Sequence, residues 1–178
     1  MATRKASCYS KMKAVPYTRK SKKQSQSYIK STPFSKVTKF RMGDLAGFKK
    51  GKYKTIMTIK TKEFVQMRDI ALEAARQYLN RFLTQQMKKD FYFELRPYPH
   101  HVIRENKMLT GAGADRMSSG MARSFGKTTG RAALIKEGST LFIIGLNGKE
   151  NEQATRKLLK AIKSRLPCKV VVETEYKK

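Results

Sequence analysis

Tryptophan is absent from this 178-residue chain, and cysteine and histidine occur only twice each. Cys8 and Cys168 lie far apart and suggest no disulfide framework, so reduced cytosolic thiols are expected. No run of about 18 apolar residues exists, and nothing is expected to span a bilayer. The first 17 residues are basic but lack the apolar core of a signal peptide. Acid is the scarcest chemistry: 13 Asp and Glu stand against 40 Lys and Arg, for a formal charge of +27. Scattered carboxylates define no acid–base pair.

The excess of base comes next. Self-repulsion at this charge destabilises a free compact state, and a polyanionic partner relieves it. Nucleic acid is the first candidate, because neutralising phosphates releases counterions and drives binding. An anionic membrane surface is the competing one. The length suits one domain with tails.

Residues 1–33 carry Arg4, Lys5, Lys11, Lys13, Arg19, Lys20, Lys22, Lys23 and Lys30 and no acid, interleaved with Tyr9, Tyr17 and Tyr28. Apolar residues are too sparse there to bury a face, so an extended basic arm is expected. Either it is a solubilising tail, or it orders on RNA with Lys and Arg on phosphates and Tyr on bases. The interleaved tyrosines favour the second reading.

Residues 34–178 read as a single α+β domain. Residues 34–42 alternate imperfectly and are expected as a strand, 43–51 as a turn-rich connection, and 53–60 as a better strand. Residues 63–88 carry Phe64, Met67, Ala71, Ala74, Ala75, Tyr78 and Phe82 at spacings of three and four, widened by Leu72, Leu79 and Leu83. That predicts a core-facing helix, with Lys88 and Lys89 at its negative end. Residues 91–96 are a strand that Pro97 and Pro99 interrupt, and 101–104 resume an extended course.

Residues 104–131 show no sustained period and hold five glycines. They predict a long functional loop, with Arg104, Lys107, Arg116, Arg123, Lys127 and Arg131 against only Glu105 and Asp115. Apolar runs at 132–135 and 141–146 flank Glu137-Gly138-Ser139 as a hairpin. Asn147 with Glu150 predicts a capping box for a helix over 150–165, with Ala154, Leu158, Ala161 and Ile162 inward and Pro167 beyond its end. Residues 169–174 are a final strand. The expected architecture is a two-layer sandwich: a mixed or antiparallel sheet with two helices on one face, a long central loop and the arm.

Several constellations fail as sites. Gly126-Lys127-Thr128 imitates the end of a phosphate-binding P-loop, but Met121 stands where the first glycine belongs. Gly111-Ala112-Gly113 opens no helix and lacks the third small residue of a dinucleotide fingerprint. His100 and His101 are adjacent on extended backbone and so point apart. One packed and one exposed imidazole are expected rather than a zinc site, the exposed one available to stack on RNA. Ser118 and Ser119 have no base that spacing would assign. No catalytic residue, metal or cofactor is expected. An RNA-modifying enzyme would need a catalytic pair or a cofactor pocket. A free RNA chaperone is the other rival reading.

Pro99-His100-His101-Val102-Ile103-Arg104-Glu105-Asn106-Lys107-Met108, then Gly111-Ala112-Gly113-Ala114-Asp115-Arg116, Gly120-Met121 and Phe125-Gly126-Lys127, resemble a large-subunit ribosomal protein family. It is called L-sixteen in bacteria and L-ten-e in archaea and eukaryotes. Ala71-Leu72-Glu73-Ala74-Ala75-Arg76 and Leu166-Pro167-Cys168-Lys169 are also similar to it. The resemblance runs over about residues 17–172. The length and the lack of a C-terminal extension look archaeal rather than eukaryotic.

The resemblance implies a structural, non-enzymatic constituent of the large subunit in the cytoplasm, beside the transfer-RNA passage and near the 5S RNA. Its partners would be large-subunit ribosomal RNA, transfer RNA and neighbouring ribosomal proteins, with no membrane. The loop would point towards the peptidyl-transferase region. Gly111, Ala112, Gly113, Ala114, Asp115, Arg116, Gly120 and Met121 would form its transfer-RNA-proximal part. Arg104, Lys107, Arg123, Lys127 and Arg131 would flank it on RNA. Arg4, Lys5, Lys11, Lys13, Tyr17, Arg19, Lys20, Lys22 and Lys23 of the arm, with Lys36, Lys39 and Arg41 after it, are the other RNA-binding candidates. Met117-Ser118-Ser119 and the polar stretch 21–31 depart from the family pattern.

Overall fold

Period-two segments become two antiparallel sheets in the computed structural model, which describes residues 7–10, 29, 31–105 and 126–176. Strands β1 (Arg41–Gly43), β4 (Tyr92–Leu95), β7 (Thr140–Leu146), β2 (Thr55–Thr61) and β8 (Val170–Tyr176) lie in that order in the larger sheet. The smaller sheet runs β3 (Val65–Arg68), β6 (Lys127–Ile135), β5 (His101–Glu105). Four helical segments accompany them: α1 (Ser7–Ser10), α2 (Leu45–Lys49), α3 (Asp69–Met87) and α4 (Lys149–Ile162), the last continued by a 3-10 turn at Lys163–Arg165.

Strand β2, next to the edge of the sheet, pairs antiparallel with β7 on one side and β8 on the other. β7 and β8 are therefore parallel to each other and need a crossover, which α4 supplies. Met57 and Ile59 on one face of β2 are fully buried against the core. On α3, Leu72, Ala75, Leu79 and Leu83 recur at three- and four-residue spacing and are fully buried. Burying each of those leucines contributes about 1.5–3 kcal/mol. They join Val65, Met67, Ala133 and Ile135 of the smaller sheet, Phe93, Phe142 and Ile144 of the larger, and Leu159 and Ile162 of α4 in one cluster.

The structure is α+β, and it corrects the sequence reading in several places. The expected single sheet is two sheets, and every strand pairing among the described residues is antiparallel. The strand expected over 34–42 shrinks to Arg41–Gly43. Upstream, the Lys36 and Val37 amides donate to Asp69 Oδ2 and Ser35 Oγ rather than to a ladder, and Phe34 is 92% exposed. The turn-rich connection contains α2, capped by Asp44, whose Oδ1 accepts from the Gly47 amide at 2.8 Å.

The helix begins at Asp69 rather than 63, because residues 65–68 pair with β6 as strand β3. The burial stripe is accordingly centred on the leucines, with Ala74 and Phe64 exposed. Residues 136–139 are not a hairpin turn, because β6 and β7 belong to different sheets. Gly148, at φ +89°, takes the N-cap position of α4 instead of Asn147. Asn147 Oδ1 accepts from the Lys54 amide at 3.0 Å, so that side chain tethers the start of β2. The inward face of α4 is Leu158, Leu159 and Ile162 with Thr155 and Glu152, whereas Ala161 is exposed. Finally, the loop expected over 104–131 is flanked by longer strands: β5 reaches Glu105 and β6 starts at Lys127.

Candidate nucleic-acid interface

Buried acids lay the basic segment 36–41 along α3. Asp69, 3% exposed at the start of that helix, accepts the Lys36 amide through Oδ2 at 2.9 Å and the Ile70 amide through Oδ1 at 2.8 Å. One turn on, the Glu73 carboxylate receives Arg76 Nε at 2.8 Å and Arg76 Nη2, together with Gln77 Nε2 at 3.0 Å. Both members of that pair are buried. Arg76 Nη2 also donates to Thr38 Oγ1 at 3.3 Å, and Nη1 approaches Met42 Sδ at 3.1 Å. The Arg76 bond, more than any other contact, holds the Glu73 carboxyl below the usual carboxylate range. These ties fix the backbone around Lys36 and Lys39 while leaving both lysine side chains exposed.

A second buried acid organises arginines. Glu94 Oε1 lies 3.4 Å from Arg41 Nε and 3.5 Å from an Arg96 terminal nitrogen. Its Oε2 accepts from Tyr92 Oη at 2.7 Å. Burial, reinforced by that carboxylate, pushes the Tyr92 phenol up to about 12. The Arg41 and Arg96 side chains remain more than half exposed. One carboxylate thus holds two guanidiniums side by side, and their outer N–H groups can address a phosphate.

A third feature, a groove lined by three lysines and two acids, was not anticipated. A cavity of about 760 Å³ is lined by Gly43, Asp44, Lys52, Met87, Lys88, Lys89 and Asp90. Lys52 Nζ donates to Asp90 Oδ1 at 2.7 Å, and this bond raises the Lys52 ammonium above its ordinary value. Lys88 holds φ at +54°, in a region that side chains seldom adopt, at the C-terminal cap of α3. Sequence reasoning assigned Lys88 and Lys89 to the helix dipole alone. The run Lys49-Lys50-Gly51-Lys52 was the signal that could have pointed to this corner.

Among the other expected RNA residues, Arg104 and Lys127 lie on the paired strands β5 and β6, in the registers Arg104↔Thr128 and Glu105↔Lys127. Arg131 Nε donates to the Pro33 carbonyl at 2.6 Å, which binds the end of the expected arm to β6. Within that arm, α1 packs on β3: Gln66 Nε2 donates to the Tyr9 carbonyl at 2.8 Å, and the Arg68 guanidinium sits 4.7 Å from the Tyr9 ring centre. Arg4, Lys5, Lys11, Lys13, Tyr17, Arg19, Lys20, Lys22 and Lys23 fall outside the described residues, as do Lys107, Arg123 and the whole stretch from Gly111 to Met121. Gly126-Lys127-Thr128 enters strand β6 rather than a helix, so it has none of the setting of a P-loop. His101 is 4% exposed and His100 is exposed, as expected for adjacent residues on extended chain.

No group of three or more His, Cys, Asp or Glu among the described residues is arranged to hold a metal ion. No described helix is long and apolar enough to cross a membrane. The charge, the sheets and the carboxylate-held arginines define a basic α+β protein. The model of the family described as ribosomal protein L16p/L10e matches residues 12–173, and the chain belongs to that family. Among curated relatives it is similar to the large ribosomal subunit protein uL16 of Thermofilum pendens, 37% identical over 97% of this chain and 98% of the relative. The uL16 of Thermoplasma acidophilum is 40% identical over 97% and 93%, and that of Methanocella arvoryzae 41% over 97% and 96%. The chain is therefore an archaeal-type ribosomal protein of the cytoplasm, with a structural role in translation and not an enzyme's.

Proposed function

We propose that this chain is a constituent of the large ribosomal subunit that binds ribosomal RNA and carries residues 104–131 towards the transfer-RNA and peptidyl-transferase region. The observation that carries this reading is its similarity, across 97% of its length, to proteins named for the large subunit. The chemistry agrees: a charge of +27 requires a polyanion to relieve it, and RNA supplies one. In this reading residues 1–33 are an RNA-binding arm and 34–178 the platform. Lys36, Lys39 and Arg41 contact phosphate from the segment that Asp69 and Glu73 hold in place. Arg104, Lys107, Arg123, Lys127 and Arg131 contact RNA at the base of the loop, whose glycines let backbone approach RNA closely. Arg116 and its neighbours stand near transfer RNA, and the 5S RNA and other ribosomal proteins lie nearby. The work is positioning, with no acid, base or nucleophile from this chain.

Sucrose-gradient fractionation of salt-washed lysate with quantitative mass spectrometry tests it. Near one copy per large subunit, retained in moderate salt, is the expected result. Free or substoichiometric protein would overturn the reading.

A further inference from the structure

Three rings meet where Pro97 and Pro99 interrupt the chain. Tyr98 stacks on Phe40 with centroids 5.3 Å apart and planes 22° apart, and it touches His100 at 4.3 Å and 44°. The local sequence explains the arrangement. The contact between the Tyr98 and His100 rings places both on the same side of the chain. The His100 amide donates to the Tyr98 carbonyl at 3.0 Å, closing a three-residue turn around Pro99, whose fixed φ suits that turn. Pro99 and the following His101 are buried and anchor the turn from the other side. Phe40 packs against the core, and its carbonyl accepts the Leu95 amide at 2.7 Å. The inner ring is thus fixed, while Tyr98 is 44% exposed and His100 is exposed. Exposed Lys39 directly precedes Phe40, and the half-exposed Arg96 lies two residues before Tyr98.

We infer that Tyr98 and His100, backed by Phe40, form a docking platform for one unpaired RNA base, with cations of the flanking chain taking the neighbouring phosphates. Aromatic faces on a rigid turn with cations alongside match the chemistry by which proteins hold splayed-out bases. Because the rings are ordered before binding, little side-chain entropy is lost when a base arrives. The inference rests on the RNA-binding reading above and adds a specific residue pair and a specific ligand group to it.

The test uses the full chain and two probes: a single-stranded oligoadenylate carrying 2-aminopurine, and a duplex RNA of equal length. Tyr98→Ala and His100→Ala should each weaken single-strand binding about tenfold and relieve 2-aminopurine quenching. Tyr98→Phe should keep both, and duplex affinity and its salt slope should not move. Matched circular dichroism and melting curves show that the variants fold. Wild-type affinity in both alanine variants, or equal losses on single strand and duplex, would overturn the platform while leaving RNA binding intact. If the wild type binds neither probe, the RNA-binding reading falls and the platform with it.

Discussion

Replacing Arg76 with methionine should be among the most damaging single changes to this fold. Arg76 and Glu73 are both buried, their side chains 9% and 11% exposed, and face one another through two hydrogen bonds. Removing Arg76 leaves a buried carboxylate whose remaining partners are Gln77 and Thr38, and breaking a pair in this way costs about 3–5 kcal/mol. For a chain of this length that lowers Tm by roughly 6–20 °C. Replacing both residues, Glu73→Leu with Arg76→Met, should cost within about 1 kcal/mol of nothing, since no charge is then stranded. Thr38 and Gln77 are exposed, and water replaces the carboxylate for them. The sign of the pH dependence follows. With Arg76 present, the Glu73 pKa lies below its unfolded value. That contribution is complete above about pH 4.3 and is lost as pH falls through the folded pKa. Without Arg76, burial pushes the carboxyl the other way. The stability gap between wild type and Arg76→Met should therefore be wide at neutral pH and narrow near pH 3. Urea titrations across pH measure it. A single-variant cost below about 1 kcal/mol, or a double variant as damaged as the single, would refute the claim that this pair is desolvated.

Three further outcomes are expected. Gly43→Ala should destabilise the fold by about 2 kcal/mol or more in urea titrations, because φ is +82° there and a Cβ would lie 2.0 Å from the Phe91 carbonyl oxygen. Cys168, whose thiol burial pushes up to about 11, should react with iodoacetamide at neutral pH about a hundredfold more slowly in the native protein than in urea, as read by peptide mass spectrometry. Deleting residues 1–30 should weaken RNA affinity and flatten its salt dependence, by about 0.7–0.9 in the log–log slope for each phosphate that the arm no longer neutralises. An unchanged slope would remove the arm from the RNA interface.

Much of the fold was legible because its signals are local. The β2 alternation and the three- and four-residue recurrence of apolar residues over α3 identified those elements, although the stripe was centred on Ala74 and its neighbours rather than on the buried leucines, and Pro97 with Pro99 marked the end of β4. The errors arose where a distant partner decides. Val65-Gln66-Met67-Arg68 carries a helical stripe in sequence, yet β6 offers it a ladder, and pairing wins over periodicity. The apolar runs on either side of Glu137-Gly138-Ser139 look like two arms of a hairpin. Only the positions of β2 and β3 determine that each run joins a different sheet. Asn147 has the chemistry of a cap, but the Lys54 amide, remote in sequence, claims its side chain. At the candidate site, Lys36, Lys39 and Arg41 were named from the sequence, whereas Arg96, Lys52 and the acids paired with the arginines were not. Nothing in sequence joins Glu94 to Arg41, or Asp69 to Lys36.

Those acids change what the net charge means. Asp69, Glu73, Glu94 and Glu152 are buried, whereas Arg76 is the only Lys or Arg buried to the same degree among the described residues. Each of the four acids has partners: Asp69 has backbone amides and Glu73 has buried Arg76, whereas Glu94 has Tyr92 and two exposed arginines, and Glu152 has exposed Arg156 and Tyr176. Two of the four thus make internal ties, and the other two neutralise arginines at the surface. Removing Glu94 would free Arg41 and Arg96 electrostatically but cost them their shared anchor.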